Sequence, residues 1–509
     1  MPDTENETDD GTDDQSAVLA FLRDPATHGG TAPREIVTHS ARVFLGPDRA
    51  LKLKRAVRYD YLDFATAENR RATLDRELAL NRPAAPEIYD RVAPITRVEG
   101  GRLALDGAGP AVDHVLVMRR FPDGSELAHV AAAGRLDRAL AETLGRTLAA
   151  YYARAPRVDA DGAVLMDEIV AELDRVFATL HGPLGRDRCD RLTAALRARA
   201  APDLRARADR IRRGHGDLHM ENVLVLDGAP VLFDALEFDE RLGTCDTAYD
   251  AAFLWMDMVH RGYRAAANAT FNAYLDATGD TGLVGPLPLF LAVRAAIRAM
   301  AEAQRLGPEA RPDRAGAAGA YLDAALGFLA PPPATMVAVG GVSGTGKTRL
   351  ARDLAPGLGP APGAVHLRSD VIRKALFGVA PTDPLGPEGY TREATQATYD
   401  RMAAQARDVA GRGHAALLDA TFLDGDAAAD CAAAAAAAGV RFAGLWLTGD
   451  PDTLAARVAA RRDDASDADV AVLRRQLDNA AAPAGWSVVD AGGPPEATLD
   501  AAHKALDLD

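Results

Sequence analysis

The chain has 509 residues, more than one hydrophobic core accommodates, so two or three domains are expected. Its apolar fraction of 48% is ordinary for a globular protein, and its net charge of −15, with a pI near 5.3, disfavours broad binding to nucleic acid or acidic membranes, which need basic surfaces. The three cysteines, Cys189, Cys245 and Cys431, are far apart and form no C-x-x-C pair, which suits a reducing cytoplasm and argues against a zinc site.

The opening "MPDTENETDDGTDD" carries seven acids and no base, so residues 1–15 read as a disordered acidic tail rather than a secretory signal. "ARVFLGPDRALKLKRAV" then predicts two short strands around a "GPD" turn. A helix is expected over "FATAENRRATLDRELALNR", ending before "PAAP". "HVLVMRRF" reads as a strand, 126–212 as a long helical region, "APVLFDALEF" as a strand ending in an acid, and 246–328 as helices. The first domain is thus assigned to 16–328. Residues 329–335, "LAPPPAT", form a stiff proline linker. Over 336–509, "TMVAVGG", "AVHLRSD", "AALLDATF" and "FAGLWLTGD" alternate with helical segments, which predicts a doubly wound parallel sheet. "CAAAAAAAGV" is too short and alanine-rich to span a bilayer, and no other segment reads as transmembrane.

"RGHGDLHMENVLV", 213–225, concentrates the polar chemistry of the first domain. His215 and His219, four apart, would share a face on a helix as metal ligands do. The glycine-flanked start argues against a helix, however, and no third ligand accompanies them. The spacing His215-x-Asp217-x4-Asn222 fits phosphoryl transfer better. Asp217 is then the base for an attacking hydroxyl, and Asn222 with Asp234, which closes the apolar "VLFD", supplies oxygen ligands for magnesium. Such a site also needs a cation on the ATP phosphates. Only five lysines occur in the chain, and two, Lys52 and Lys54, lie on one face of an expected strand. Lys52 fits the A-x-K pattern best, Lys54 stays open, and Glu77 is the expected helical partner.

"HGDLHMEN", "VLFDALEF" and "DTAYDAAFL" together resemble the aminoglycoside phosphotransferase family, which has a protein-kinase-like bilobal fold, over about 30–325. The resemblance implies Asp217 as base, Asn222 and Asp234 as magnesium ligands, Asp246 and Asp250 as acids bracing the catalytic loop, and Met118, in "VMRRF", at the adenine-side hinge. Two features depart from it. "THSARVF", 38–44, stands where a glycine-rich phosphate loop would lie, and the segment after residue 155 carries no aminoglycoside-binding signature.

"GGVSGTGKT" supplies a second phosphate motif: Gly341, Gly346, Lys347 and Thr348 in G-x4-G-K-T spacing, after an apolar strand and opening a helix. Backbone N–H groups across Ser343, Gly344 and Thr345 would cradle phosphates, Lys347 would reach the outer ones, and Thr348 would hold magnesium. Asp419 ends a strand where it could support the metal. With Asp370 and Arg373 in "LRSDVIRKALFG" and Arg457, Arg461 and Arg462 on a later helix, the segment 335–509 resembles small P-loop kinases of the gluconate-kinase and polynucleotide-kinase group. That resemblance implies Asp370 as base, Arg373 as binder of an anionic substrate group, and the later arginines as a lid. Asp370 as a helix N-cap is the bland alternative.

The combined reading is a fusion of two ATP- and Mg2+-dependent phosphotransferase modules, α/β and α+β in class, acting in the cytoplasm. Each transfers the γ-phosphoryl of ATP to a hydroxyl of a small, sugar-like or aminoglycoside-like molecule. A regulatory ATP-hydrolysing protein, one module controlling the other, is the alternative. Retention of both Asp217 and Asp370 favours the enzyme, because nucleotide binding alone needs no hydroxyl-activating carboxylate. A protein kinase is disfavoured by the lack of an A-P-E segment after Asp234. Neither acceptor nor the oligomeric state is legible.

Overall fold

The structure, a computed structural model, describes residues 13–59, 62–199, 202–237, 239–306, 311, 315–380, 383–460 and 468–507. It divides into two compact units: residues 1–136, 151–158 and 211–250, and residues 137–150, 159–210 and 251–509.

In the first unit, helix α1 (Ser16–Arg23) precedes strands β1 (Arg34–Val37), β2 (Ala41–Leu45) and β3 (Arg49–Lys54). Helix α2 (Ala67–Asn81), capped by Thr66, leads to β4 (Tyr89–Arg97), β5 (Leu103–Leu105) and β6 (Ala111–Arg119). These strands form one antiparallel sheet in the order β1-β2-β3-β6-β4-β5. Side chains alternate between its faces. Leu51, Leu53, Val115 and Val117 pack with Val18 and Leu22 of α1, whereas Leu116 packs with Leu74 of α2 on the opposite face. The same alternation places Lys52 and Lys54 opposite Leu51 and Leu53, toward α2.

Of the tail expected over 1–15, residues 13–15 are bonded into the fold, and the remainder lies outside the described residues. Asp13 accepts from Arg70 at 3.2 Å, and the Gln15 amide donates to Asp113 at 2.8 Å. Arg70 is fully buried. Its guanidinium forks onto both oxygens of buried Asp113 (3.0 and 2.8 Å) and donates to the Phe64 and Ala65 carbonyls.

The unit closes with β7 (Ile211–Arg213), the hairpin β8 (Val223–Leu226) and β9 (Ala229–Leu232), and β10 (Thr244–Asp246), which pairs with β7. The strand expected to end at Asp234 stops at Leu232. Asp234 lies in the following loop with φ +61°.

The second unit begins with α3 (Arg138–Arg154), α4 (Gly162–Phe177) and α5 (Arg186–Ala198), so the helical region expected over 126–212 is several helices. It continues with α6 (Thr247–His260), α7 (Arg264–Thr278), α8 (Leu287–Leu306) and α9 (Gly316–Leu329). Trp255 is fully buried and meets Phe271 and Tyr274 edge-on. After the proline stretch come β11 (Thr335–Gly341), α10 (Lys347–Leu354), β12 (Val365–Arg368), α11 (Ser369–Leu376), α12 (Arg392–Gly411), β13 (Ala416–Asp419), β14 (Arg441–Thr448), α13 (Pro451–Ala459) and β15 (Ser487–Asp490). The five strands form a wholly parallel sheet in the order β12-β13-β11-β14-β15. Val337, Val339, Leu417, Leu445 and Leu447 face Leu350 and Leu354 of α10. Met336, Ala338 and Leu418, which alternate with them, are buried as well, as a parallel sheet covered on both sides requires.

Strand β12 is an edge, and an edge strand carries unpaired backbone groups. Helix α7 supplies partners for them. The Asn272 side-chain oxygen accepts the His366 N–H at 2.8 Å, and the amides of Asn268 and Asn272 each donate to the Ala364 carbonyl at 3.1 Å. Gly363 permits this approach, since a Cβ there would lie 2.8 Å from the Asn268 amide nitrogen and 2.4 Å from the Ala355 oxygen. Among the described residues no helix is long and apolar enough to cross a membrane.

Removing Arg70 would strand the Asp113 carboxylate in the interior. Arg70→Ala is therefore expected to destabilise the first unit by about 3–5 kcal/mol, read as a lower urea midpoint. An unchanged midpoint would show that the fork is not a structural anchor.

Candidate active sites

The first site grows from β3 and α2. Lys52 reaches Glu77 at 2.6 Å and Asp234 at 2.8 Å. Lys54, two residues on, meets the other Glu77 oxygen at 2.7 Å and Glu237 at 2.5 Å. One helical carboxylate is thus shared by both lysines, but their surroundings differ. The Lys54 side chain is 1% exposed, whereas Lys52 is 13% exposed beside Asp234, whose side chain is 43% exposed. Lys52 is therefore the lysine that opens toward solvent at the loop acid.

Burial works against the Lys52 ammonium, yet Asp234 and Glu77 outweigh it and hold its pKa well above the ordinary lysine value. Burial likewise opposes ionisation of Glu77 and Asp234; the lysines prevail and both acids are lowered. Glu237 goes the other way, raised by burial and by repulsion from Glu77.

The loop holding Asp234 is fixed from three sides. Tyr89 Oη accepts the Asp234 N–H at 3.0 Å, Asn81 Oδ1 accepts that of Ala235 at 2.7 Å, and the His215 carbonyl accepts that of Leu236 at 2.8 Å. The polar loop 213–222 is not helical before Met220, so His215 and His219 do not share a helix face. His215 is buried and kept neutral by that burial; its Nε2 donates to the Phe233 carbonyl at 2.9 Å. His219 lies 3.5 Å from Asp217. The Asn222 amide nitrogen donates to the Asp217 backbone carbonyl (2.8 Å) and carboxylate (3.1 Å), which leaves the Asn222 oxygen as its acceptor group.

Asp250 braces this loop, its two oxygens accepting the N–H groups of His215 (2.6 Å) and Gly216 (2.9 Å). The approach requires glycine at 214, where a Cβ would lie 2.5 Å from the Asp250 carboxylate. Asp246 accepts the Ala248 N–H at the start of α6. Met118, on β6, pairs with Ala50 and Tyr89 of the neighbouring strands.

The second site lies where β11 passes into α10. Gly341, Gly344 and Gly346 have φ of +135°, +87° and +87°, and a Cβ at Gly341 or Gly344 would meet the Leu447 or Leu454 carbonyl at 2.6 or 2.8 Å. The glycines are thus required by backbone conformation and by close approach. Gln476 accepts the Ser343 N–H at 2.7 Å, Thr345 donates to the Val342 carbonyl at 2.8 Å, and Lys347 folds back onto that carbonyl at 2.9 Å.

Asp419, at the end of β13, is buried and 3.3 Å from His366 Nε2. Burial would raise its carboxyl, but His366, Arg368 and Lys347 pull it down to about 2. Asp370 is raised instead, by burial and by repulsion from Asp419. It stands in the first turn of α11, whose N-cap is Arg368, so it does not serve as the cap. Arg373 is buried, donates to the Gly389 carbonyl at 2.7 Å and stacks over Tyr390. Arg457 donates to the Ala491 carbonyl at 3.0 Å. Arg461 and Arg462 lie outside the described residues. Lys347, Thr348, Asp370, Arg373, Asp419 and Arg457 all line one cleft of about 2100 Å³.

Sequence reasoning missed Glu237, Tyr89, His366 and Gln476. Each is distant in sequence from the group it serves and carries no motif. Glu237, three residues past Asp234 in "FDALE", and His366, in "AVHLRSD", lay within segments already singled out.

Comparison with known proteins gives the class. Residues 39–286 match the phosphotransferase enzyme family, and residues 336–483 match an AAA domain. The uncharacterised proteins Rv2004c of Mycobacterium tuberculosis and Mb2027c of Mycobacterium bovis are each 31% identical over 488 residues, covering 92% of this chain and 94% of theirs. Among solved structures, a gluconokinase from Sinorhizobium meliloti is 22% identical over 35% of this chain and 93% of its own, with a TM-score of 0.26. A glucosamine kinase is 22% identical over 62% of this chain and 80% of its own, with a TM-score of 0.36. The protein is a kinase, as the phosphotransferase family matched by its first domain shows. It belongs to the same family as these mycobacterial proteins, and its residues 39–286 form a phosphotransferase-family domain.

The two lysines separate experimentally. Lys54→Met leaves Glu77 and Glu237 short of a buried cation and is expected to cost about 3–5 kcal/mol of stability. Lys52→Met is expected to weaken ATP binding at the first site about 10-fold or more with a smaller loss of stability. Melting curves and nucleotide titrations on both variants check this, and the reverse pattern would exchange the two roles.

Proposed function

We propose that the chain is bifunctional, each module moving the γ-phosphoryl of ATP to a hydroxyl of a small molecule. The observation that carries this reading is that each candidate phosphate-binding element has a further carboxylate near it: Asp217, close enough to Asp234 to act on its charge, and Asp370, in the first turn of α11 in the cleft of the P-loop.

At the first site, Lys52 holds the ATP phosphates, oriented by Glu77, and Asp217 takes the proton of the acceptor hydroxyl as the oxygen attacks. Asp250 fixes the backbone of the loop and hence the base. Met118 lies at the adenine side. The group contains three carboxylates, Glu77, Glu237 and Asp234, against two ammonium groups, a balance that suits an added cation. Asn222 and Asp234 offer the hard oxygen donors that magnesium takes.

At the second site, the N–H groups across Ser343, Gly344 and Thr345 and the Lys347 ammonium cradle the phosphates, and Thr348 with Asp419 would hold magnesium. A metal held by these residues would supply positive charge that offsets the charge of the phosphates. Asp370 is the proposed base, and its raised carboxyl is a stronger proton acceptor than an ordinary aspartate. Arg373 and Arg457 line the transfer path, with Arg373 placed to meet an anionic group on the acceptor and Arg457 to meet the transferring phosphoryl.

Purified protein incubated with γ-labelled ATP, magnesium and a pool of hydroxylated metabolites and aminoglycosides should yield labelled acceptors. Asp217→Asn and Asp370→Asn should each remove one class of product, lowering its rate by about 10²–10⁴-fold. Steady release of phosphate with no labelled acceptor would support a regulatory ATPase instead.

A further inference from the structure

The cleft of the P-loop site is not walled by the parallel sheet and its own helices alone. Its lining includes Arg138, Glu142 and Arg146 of α3 and Asn268, Asn272 and Asp276 of α7. Each set recurs every four residues, so each forms a stripe along one helix face. Both helices are tied to the P-loop elements. Asn272 and Asn268 bond the backbone of β12 and the residues leading into it, Arg264 donates to the Gly359 carbonyl at 3.1 Å, and Arg138 donates to the Arg352 carbonyl at 3.0 Å.

The side on which they are tied matters. Strand β12 is the edge strand that runs directly into α11, the helix bearing Asp370 and Arg373. The two helices therefore close the side of the cleft where the attacking hydroxyl must lie, away from the α13 edge that carries Arg457.

We propose that α3 and α7 form the acceptor wall of the P-loop kinase, with Asp276 and Glu142 receiving a cationic amino group on a small hydroxylated acceptor. This rests on reading the P-loop site as a kinase. Asp276 is exposed in the wall of the cleft, and the charged groups facing it are Arg368 at the end of β12, Glu142 on α3 and Arg352 on α10. Arg352 is also within 3.9 Å of Glu142, and no ion pair is formed by Asp276 among the described residues. Burial, aided by Glu142, raises the Asp276 carboxyl to about 6 despite the two arginines. An amino group would pair with the Asp276 carboxylate directly, which neither arginine does, and a polyol frame would present its hydroxyl to Asp370.

The test uses the full chain saturated with a non-hydrolysable ATP analogue. Ethanolamine, serinol, glucosamine and glucamine are titrated beside the matched alcohols ethylene glycol, glycerol, glucose and sorbitol. At least one amine should bind 10-fold or more tightly than its match. That preference should fall 10-fold or more in Asp276→Asn, decline in Glu142→Gln, and decline as pH drops through about 6, where the carboxylate becomes neutral. Absence of any amine preference, or a preference that survives Asp276→Asn, overturns the proposal. A Lys347→Ala variant that loses no nucleotide binding would instead defeat the kinase reading of the P-loop, an outcome separate from the behaviour of Asp276.

Discussion

Glu77 carries two lysines on one buried carboxylate, and the first site depends on that sharing. A buried carboxylate facing one lysine could satisfy only part of its valence, and a second unpaired ammonium nearby would be costly to bury. Lys54 takes the inner oxygen and is sealed in, while Lys52 takes the outer oxygen and extends to Asp234. The strand, the helix and the loop after β9 are thereby joined through charge. Lys52 stays fully charged because the acids around it overcome its burial.

The two proposed phosphate sites answer the same electrostatic demand by different means. The first concentrates side-chain charge and fixes it through two loops, one pinned by Tyr89, Asn81 and the His215 carbonyl and the other by Asp250. The second uses backbone N–H groups in a loop whose conformation and close contacts require glycine, so that one lysine suffices. In each, a carboxylate beside the phosphates is held ionised, Asp234 by Lys52 and Asp419 by His366, Arg368 and Lys347. In the second site the neighbouring acid, Asp370, is raised by burial and by Asp419, which pushes two carboxyls toward different tasks.

Much of this was legible in the sequence because it is local. The P-loop, the His215–Asn222 spacing and the strand period that puts Lys52 and Lys54 on one face all lie within short windows. The choice between the lysines was not legible, since it depends on which one is sealed by Glu237 and which opens at Asp234. The end of β9 was misplaced by two residues because an apolar run continues through Phe233 while the backbone turns left-handed at Asp234. The contribution of α3 and α7 to the P-loop cleft was hidden for another reason. Four-residue stripes such as Asn268, Asn272 and Asp276 look like any solvated helix face until an edge strand is found against them.

The central claim is that one chain holds two working nucleotide sites, and counting them tests it most directly. Equilibrium titration of the full chain with a non-hydrolysable ATP analogue and magnesium should give two bound nucleotides per chain. Lys52→Ala should remove one, Lys347→Ala the other, and the double variant both. A single bound nucleotide lost entirely with either lysine would contradict the account.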